Sequence, residues 1–174
     1  LDHHKLEKGS MNLIELNQSD ELLKGCEVVK QIAGGSTANT VFALATLGNK
    51  VEFIGRVKDD YYGQNFSQSI KKSGAVFNSH LVDSNKSSAH SVIFVTPDAQ
   101  RTMCTYLGAS VEFEPSDLNN SSIENSLYLY LEGYLWDSDM AKKAFLNAAQ
   151  IAKKSRTKIV LSLSDSFCVD RHRE

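Results

Sequence analysis

Short apolar runs rich in β-branched and aromatic residues alternate with helix-like stretches along this chain of 174 residues. The strand-like runs are residues 51–57, 126–131 and 158–163, and the helix-like stretches are residues 37–47, 61–73 and 138–154. This alternation predicts an α/β fold in which helices cover a parallel sheet. The run at 126–131 is almost continuously apolar, which predicts a central strand buried on both faces.

Capping residues support two of the predicted helices. Pro115-Ser116-Asp117 predicts the start of a short helix, because proline suits the first helical position. Asp137-Ser138-Asp139 places caps and negative charge before the helix at 138–154, and Lys153-Lys154 places positive charge at its end.

Three further strand-like runs, at 76–82, 89–96 and 101–107, follow one another without a helix between them. Residues 97–100 supply a turn between the last two. With the strand-like residues 11–16, they predict a small antiparallel sheet that projects from the α/β core and acts as a lid over a site. An extension of the main sheet and a dimer surface are the alternatives.

The segment at 33–40 contains adjacent glycines between a β-like run at 26–32 and a helix-like run at 41–47. Gly34 and Gly35 allow a ligand to approach the backbone closely, and the free N–H groups of a helix N-terminus favour oxygen-rich partners. Asn39 falls on the first helical turn and offers an amide donor and an acceptor to hydroxyl groups. The segment therefore predicts a site for a polar small molecule. The alternative is an ordinary strand-to-helix turn with an incidental asparagine.

Composition limits the possible partners. The chain is 41% hydrophobic and 23% charged, with a formal net charge of −2, and it has no basic stripe of the kind that binds nucleic acid. No apolar run reaches the roughly 18 residues of a membrane span, and no signal-peptide pattern is present. We therefore expect a cytoplasmic protein without a nucleic-acid or membrane partner.

Cysteine and histidine positions do not predict a metal site. Cys26, Cys104 and Cys168 are widely spaced and odd in number, which favours buried free thiols over disulfides or zinc ligands. His3-His4 has no third ligand nearby. His80, His90 and His172 are isolated from any nucleophile arrangement, and we expect surface or packing roles for them.

Several motifs in order carry a family resemblance. They are Gly34-Gly35-Ser36-Thr37-Ala38-Asn39, Leu47-Gly48, Phe53-Ile54-Gly55-Arg56-Val57-Lys58-Asp59-Asp60 with Gly63, residues 96–103, residues 106–109, Leu131-Glu132-Gly133-Tyr134 and Leu163-Ser164-Asp165-Ser166-Phe167. In this pattern the chain resembles the PfkB (ribokinase-like) carbohydrate and nucleoside kinases, and most of all their adenosine kinase branch. Thr37-Ala38 and Lys58 depart from the pattern of the sugar kinases, which weakens a ribokinase or fructokinase assignment.

The resemblance implies a ribokinase-like fold, a three-layer α/β/α core with a small β-sheet lid, incomplete at both ends of this chain. It divides the chain into a lid strand region at 1–18, an α/β core with the substrate loop at 19–75, lid strands at 76–108, and core continuing beyond the chain end at 109–174. It also leaves open a homodimer formed through the lid, or pairing with the missing part of the chain.

The implied activity is transfer of the ATP γ-phosphate to a primary hydroxyl of a nucleoside or sugar, with Mg²⁺. Gly34, Gly35 and Asn39 match the substrate loop of the family. Glu132 matches a carboxylate of its cleft, and a strand-end Glu that caps a helix is the alternative. Arg101 matches a cleft arginine that neutralises phosphate, and a surface arginine beside Asp98 is the alternative.

The family's catalytic Asp lies in a Gly-Ala-Gly-Asp loop that is absent from this sequence. The resemblance thus assigns no general base and no metal ligand to these residues, places Asp165 in a structural or nucleotide-side turn, and implies that the segment alone is inactive.

A noncatalytic nucleoside- or sugar-binding module with the same loop is the alternative function. A Rossmann dehydrogenase is disfavoured because the loop lacks the third spaced glycine, and a Walker-type NTPase because Gly-Lys-Ser/Thr is missing. For a nucleoside, Tyr134, Trp136 and Phe167 are candidate walls of a base pocket, although such aromatic residues also occur as ordinary core.

Overall fold

The computed structural model describes residues 6–78 and 81–173. The strands are β1 (Met11–Leu13), β2 (Glu52–Phe53), β3 (Val76–Phe77), β4 (His90–Val95), β5 (Arg101–Tyr106), β6 (Tyr128–Glu132) and β7 (Lys158–Ser162). The α-helices are α1 (Leu16–Lys24), α2 (Ser36–Thr46), α3 (Tyr61–Lys72), α4 (Asn120–Glu124), α5 (Asp139–Ser155) and α6 (Ser166–Arg171). Short 3₁₀ turns occupy Gly108–Glu112, Pro115–Asp117 and Gly133–Asp137. None of the described helices is long and apolar enough to cross a membrane.

One part of the core is built by α2 and α3 on the parallel pair β2–β3. Three rings pack at its centre: Phe53 lies 5.3 Å from Phe66 and 5.9 Å from Phe77 between ring centroids. Ile70 of α3 is fully buried against the same cluster. The side chain of Asp60 caps α3, and two lysines lie in the last turn of this helix, so the charge pattern agrees with the helix dipole.

The second part of the core pairs β6 with β7 in parallel and packs α5 nearby. Ala141, Ala144, Ala148 and Ala152 of α5 are buried, and their spacing of three and four residues places them on one face of the helix. Such small side chains allow close approach of the neighbouring elements. The helix begins after the Ser138 cap, as the sequence predicts.

The lid sheet has the strand order β1-β5-β4. β4 and β5 form the predicted antiparallel hairpin, but β1 runs parallel to β5, so the sheet is mixed rather than purely antiparallel. β1 ends at Leu13, because Leu16 already begins α1, and the strand predicted at 11–16 is shorter than expected. On the face away from α1, the apolar residues Met11, Leu13, Ile93 and Val95 are exposed.

The strand predicted at 76–82 does not extend the hairpin. β3 pairs in parallel with β2 in the core, and Val82 forms an isolated parallel bridge with Lys58. The reason is topological, since α3 returns the chain beside β2 and the parallel pairing follows this crossover. Ser79 and His80 lie outside the described residues.

Two apolar runs are less buried than the sequence predicts. Residues 26–32 form no strand, and Val29 in this run is 94% exposed. In the run at 126–131, Leu127 is 82% and Tyr128 59% exposed, and β6 pairs only with β7 among the described strands. The expectation of a central strand buried on both faces is therefore wrong for the described structure, because β6 is an edge strand of a two-stranded sheet there and its face at Tyr128 is exposed.

Among the described thiols and imidazoles, only Cys26 departs from the expected role. Cys104 and Cys168 are buried and free, whereas Cys26, in a segment that forms no strand, is exposed. His90 packs between rings, 4.6 Å from Tyr62, and His172 pairs with Asp137. His3, His4 and His80 lie outside the described residues.

Candidate active site

The Gly-Gly loop leads directly into α2. Gly35 adopts φ 110° as the residue before the helix, a conformation that favours glycine. A Cβ atom at Gly34 or Gly35 would meet nothing within 4 Å, so the space around both backbones is open. The backbone N–H of Asn39 donates to the carbonyl of Gly35 at 2.8 Å, which fixes Asn39 on the first turn. Its exposed side-chain amide makes no hydrogen bond with any residue in 6–78 or 81–173.

Glu132 ends β6 as a buried carboxylate, with 8% of its surface exposed. Its Oε2 accepts a hydrogen bond from the Tyr130 hydroxyl at 3.1 Å, and its Oε1 accepts one from the Ser164 hydroxyl. Its side chain makes no capping hydrogen bond to the 3₁₀ turn that follows, so it is not simply the cap of that turn.

The pKa of Glu132 reflects this environment. Burial alone would raise it, but the hydroxyls of Ser164, Ser162, Tyr130 and Ser36, in decreasing order, outweigh burial and hold the pKa below its ordinary value. Glu132 is therefore an anionic acceptor at neutral pH. Because Ser36 is the first residue of α2, its effect on this pKa indicates that the start of α2 lies near the carboxylate at the end of β6.

Arg101 is not part of this cluster. It is the first residue of β5, opposite Val95, with an exposed side chain. Its guanidinium forms no hydrogen bond or ion pair within the described part of the chain. Asp98, which the alternative reading placed beside Arg101, instead accepts hydrogen bonds from Lys8 at 2.8 Å and from Thr96. These bonds lower the pKa of Asp98 to about 2.

The lid hairpin is anchored to the core by residues to which sequence reasoning assigned no role. The carboxylate of Asp60 accepts from the N–H of Gly63 and from that of Ser88, both at 2.8 Å. Ser88 is 1% exposed, and its hydroxyl accepts from the Lys58 N–H at 2.9 Å. A Cβ at Gly63 would lie 2.0 Å from the Lys58 carbonyl oxygen, so glycine is required where these segments meet.

No described group of three or more His, Cys, Asp or Glu side chains is arranged to hold a metal ion. Asp165 caps α6 by accepting from the Cys168 N–H at 2.8 Å, which is a structural role. The residues described here thus offer hydroxyl-binding groups and a loop open to a ligand, but they do not fit a Mg²⁺ site.

The aromatic candidates for a base pocket separate into two classes. Trp136 is half-buried and packs on the buried Phe145, with 5.9 Å between ring centroids. Tyr134 is 44% and Phe167 71% exposed, and the Tyr134 N–H donates to Ser164 at 3.0 Å, beside Glu132. Tyr134 is therefore an accessible aromatic side chain near the carboxylate, and Phe167 is exposed at the start of α6.

Comparison with solved structures gives the same fold. The chain superposes on an adenosine kinase from Sinorhizobium meliloti with a TM-score of 0.91 and 39% identity, covering 100% of this chain and 53% of that one. A probable sugar kinase from Rhizobium etli matches with a TM-score of 0.90 and 37% identity, covering 99% and 52%. The core with its lid is therefore ribokinase-like, as the resemblance implied.

Sequence comparison adds curated relatives and a family. A 5-dehydro-2-deoxygluconokinase from Bacillus subtilis is 28% identical over 158 residues, which are 88% of this chain and 47% of that protein. The chain thus spans about half the length of the relatives it matches. The model of the pfkB family carbohydrate kinases matches residues 8–172, nearly the whole chain, and the chain belongs to that family.

Proposed function

We propose that the protein containing this chain transfers the γ-phosphate of ATP to a primary hydroxyl of a nucleoside or sugar, as an adenosine kinase-like enzyme. In this proposal the described residues hold the acceptor. The observation that carries it is the junction of an open Gly-Gly loop, an Asn39 amide without a hydrogen bond in the described chain, and the buried Glu132 carboxylate.

These groups suit an acceptor with several hydroxyls. The backbone of Gly34 and Gly35 admits a ligand without Cβ interference. The Asn39 amide can donate to one hydroxyl and accept from another, and ionised Glu132 accepts from a hydroxyl. Their contribution to catalysis is orientation, because fixing the acceptor replaces a bimolecular encounter by a reaction within one complex.

The described residues account for binding of the acceptor but not for most of the chemistry at the phosphate. The described residues hold no fitting Mg²⁺ site, and we assign no general base among them. ATP supplies the phosphoryl group when it binds. Exposed Arg101 at the lid hairpin is our candidate for neutralising phosphate charge. Without a base, the 174-residue chain alone is expected to be inactive.

A nucleoside is preferred over a simple sugar as the acceptor. Tyr134 exposes ring surface near Glu132 and Phe167 is exposed at the start of α6, and a base can stack on such rings whereas a sugar alone gains less. The similarity to the Sinorhizobium meliloti adenosine kinase supports the same choice. The similarity to sugar kinases keeps ribose and fructose in the test.

The test is ATP-dependent phosphorylation by the complete gene product with adenosine, other nucleosides, ribose and fructose. Asn39→Ala should lower kcat/KM for the acceptor about tenfold, the effect of one or two lost hydrogen bonds. Asn147→Ala is the matched control, because Asn147 is an exposed asparagine on α5 without a described hydrogen bond. Equal activities of the two variants would contradict the placement of the acceptor.

Gly34→Ala separates binding from folding. The backbone at Gly34 has no left-handed φ and a Cβ there meets no described atom, so thermal stability should be retained. Acceptor KM should nevertheless rise, since the new methyl group occupies the space of the ligand. Unchanged KM would place the ligand elsewhere. Binding of nucleosides without turnover on any acceptor would instead support the noncatalytic module.

A further inference from the structure

Ser164 joins the ends of two parallel strands in an unusual backbone conformation. It follows β7 with φ 69°, one of three described residues other than glycine with positive φ. Non-glycine residues in this region are strained and persist where the surroundings hold them. Here the Ser164 N–H donates to the Ser162 hydroxyl at 3.1 Å.

The Ser164 hydroxyl connects three groups. It donates to Oε1 of Glu132 and accepts from the Tyr134 N–H at 3.0 Å. Gly133 lies between Glu132 and Tyr134 and leaves the space that this contact needs. A Cβ at Gly133 would lie 2.8 Å from the Ser162 carbonyl oxygen and 3.1 Å from the Ser164 Oγ. The positive φ of Ser164 and the missing side chain of Gly133 thus serve the same contact.

We propose that Ser164 is a positioning residue of the acceptor site, which acts by holding the Glu132 carboxylate in its orientation beside the Gly-Gly loop. This inference rests on the proposed function. It assigns no contact between Ser164 and the acceptor: the strained backbone is retained because it places one hydroxyl donor against Glu132.

Loss of the Ser164 hydroxyl should raise the pKa of Glu132. Burial raises the pKa of Glu132, and the Ser164 hydroxyl is the largest of the opposing contributions, so its removal raises the pKa. The other titratable groups near this carboxylate are Tyr130, Tyr134 and Cys168, and Asp165 lies near Tyr134. None of these replaces the lost donor, because Tyr130 already bonds the other carboxylate oxygen.

The experiment uses Ser164→Gly in the full-length gene product. Glycine accepts the positive φ and removes only the hydroxymethyl group. Arg156→Gly is the matched control, because Arg156 has φ 65° at the end of α5. We expect acceptor KM to rise about tenfold in Ser164→Gly, as for a lost hydrogen bond to a charged group. KM for ATP should stay unchanged, and the acid limb of the pH profile of kcat/KM should move to higher pH.

Two readouts distinguish positioning from a general loss of structure. In a Glu132→Gln background, Ser164→Gly should raise acceptor KM no further, since the residue acts through Glu132. Carbon-13 NMR titration of the Glu132 carboxyl, which needs no activity, should show a higher pKa in Ser164→Gly than in Arg156→Gly.

Additive effects in the double variant, or an unchanged Glu132 pKa, would overturn the inference even if Ser164→Gly lowers the melting temperature. Failure of the proposed function is recognised separately. If Asn39→Ala also leaves acceptor KM unchanged, the acceptor site itself is misplaced, whereas a normal KM in Ser164→Gly alone refutes only the role of Ser164.

Discussion

Asp60→Ala removes the carboxylate that ties the lid hairpin to the core. This side chain accepts the Gly63 N–H at the start of α3 and the Ser88 N–H before β4, each at 2.8 Å. Burial would raise the pKa of Asp60, but the two N–H groups, the Ser88 hydroxyl and the charge of Lys58 lower it below its ordinary value. The variant therefore loses a helix cap and a tertiary contact together.

The expected loss follows from these two bonds. A helix cap contributes about 1 kcal/mol, and a hydrogen bond to a charged group about 2 kcal/mol. The free energy of unfolding should thus fall by about 3 kcal/mol. For a chain of this size, each kcal/mol shifts the melting temperature by roughly 2–4 °C, so we expect a decrease of about 6–12 °C. Asp60→Asn should lose less, because asparagine still caps α3.

Urea and thermal unfolding followed by circular dichroism measure this loss. Asp59→Ala is the matched control, since the side chain of this neighbouring carboxylate accepts only from the Gln64 side chain, at 2.9 Å, within the described chain. It should change the free energy of unfolding by less than about 0.5 kcal/mol. If the substitutions at Asp59 and Asp60 lower the free energy of unfolding by the same amount, the anchoring role of Asp60 is refuted.

The pH dependence provides a second check on Asp60. Because its folded-state pKa is lowered, its stabilisation is fully present above the unfolded pKa of about 3.9. It is lost as the pH falls through the lower folded-state pKa. The stability difference between the wild-type protein and Asp60→Ala should therefore shrink on acidification below about pH 4. A difference that is constant over this range would contradict the ionised hydrogen bonds.

Two further predictions concern packing and the thiols. Gly133→Ala should destabilise the protein by about 1–3 kcal/mol, because its Cβ would lie 2.8 Å from a backbone oxygen. In Gly25→Ala the Cβ meets no atom closer than 3.8 Å, so this variant should be neutral. Equal unfolding midpoints of the two variants in urea would contradict this. A thiol reagent should modify the exposed Cys26 rapidly. Cys104 and Cys168 should react only in denaturant, because they are buried and burial raises the pKa of their thiols. Rapid reaction of all three cysteines in the native protein would contradict the burial of Cys104 and Cys168.

Local sequence signals predicted the elements whose determinants are local. The helix α5 starts after Ser138, one of the capping residues that predicted it, and the β4–β5 hairpin turns where the sequence places Pro97 and Asp98. Burial was less predictable. The run at 126–131 is as apolar as a central strand, yet Leu127 is 82% exposed, because burial depends on whether another element covers the strand and not on the strand itself.

The same distinction applies to the candidate site. Gly34, Gly35 and Asn39 are predictable because a positive φ, an open backbone and a first-turn amide are properties of adjacent residues. The role of Ser164 is not, since its hydrogen bond to Glu132 joins residues 32 apart along the chain and its positive φ has no glycine to mark it. Glu132 is the last residue of β6 and Ser164 follows the end of β7, and these two parallel strands pair with each other. Sequence reasoning therefore predicted a substrate loop whose backbone has open space in the structure, and the structure was needed to show what holds the Glu132 carboxylate.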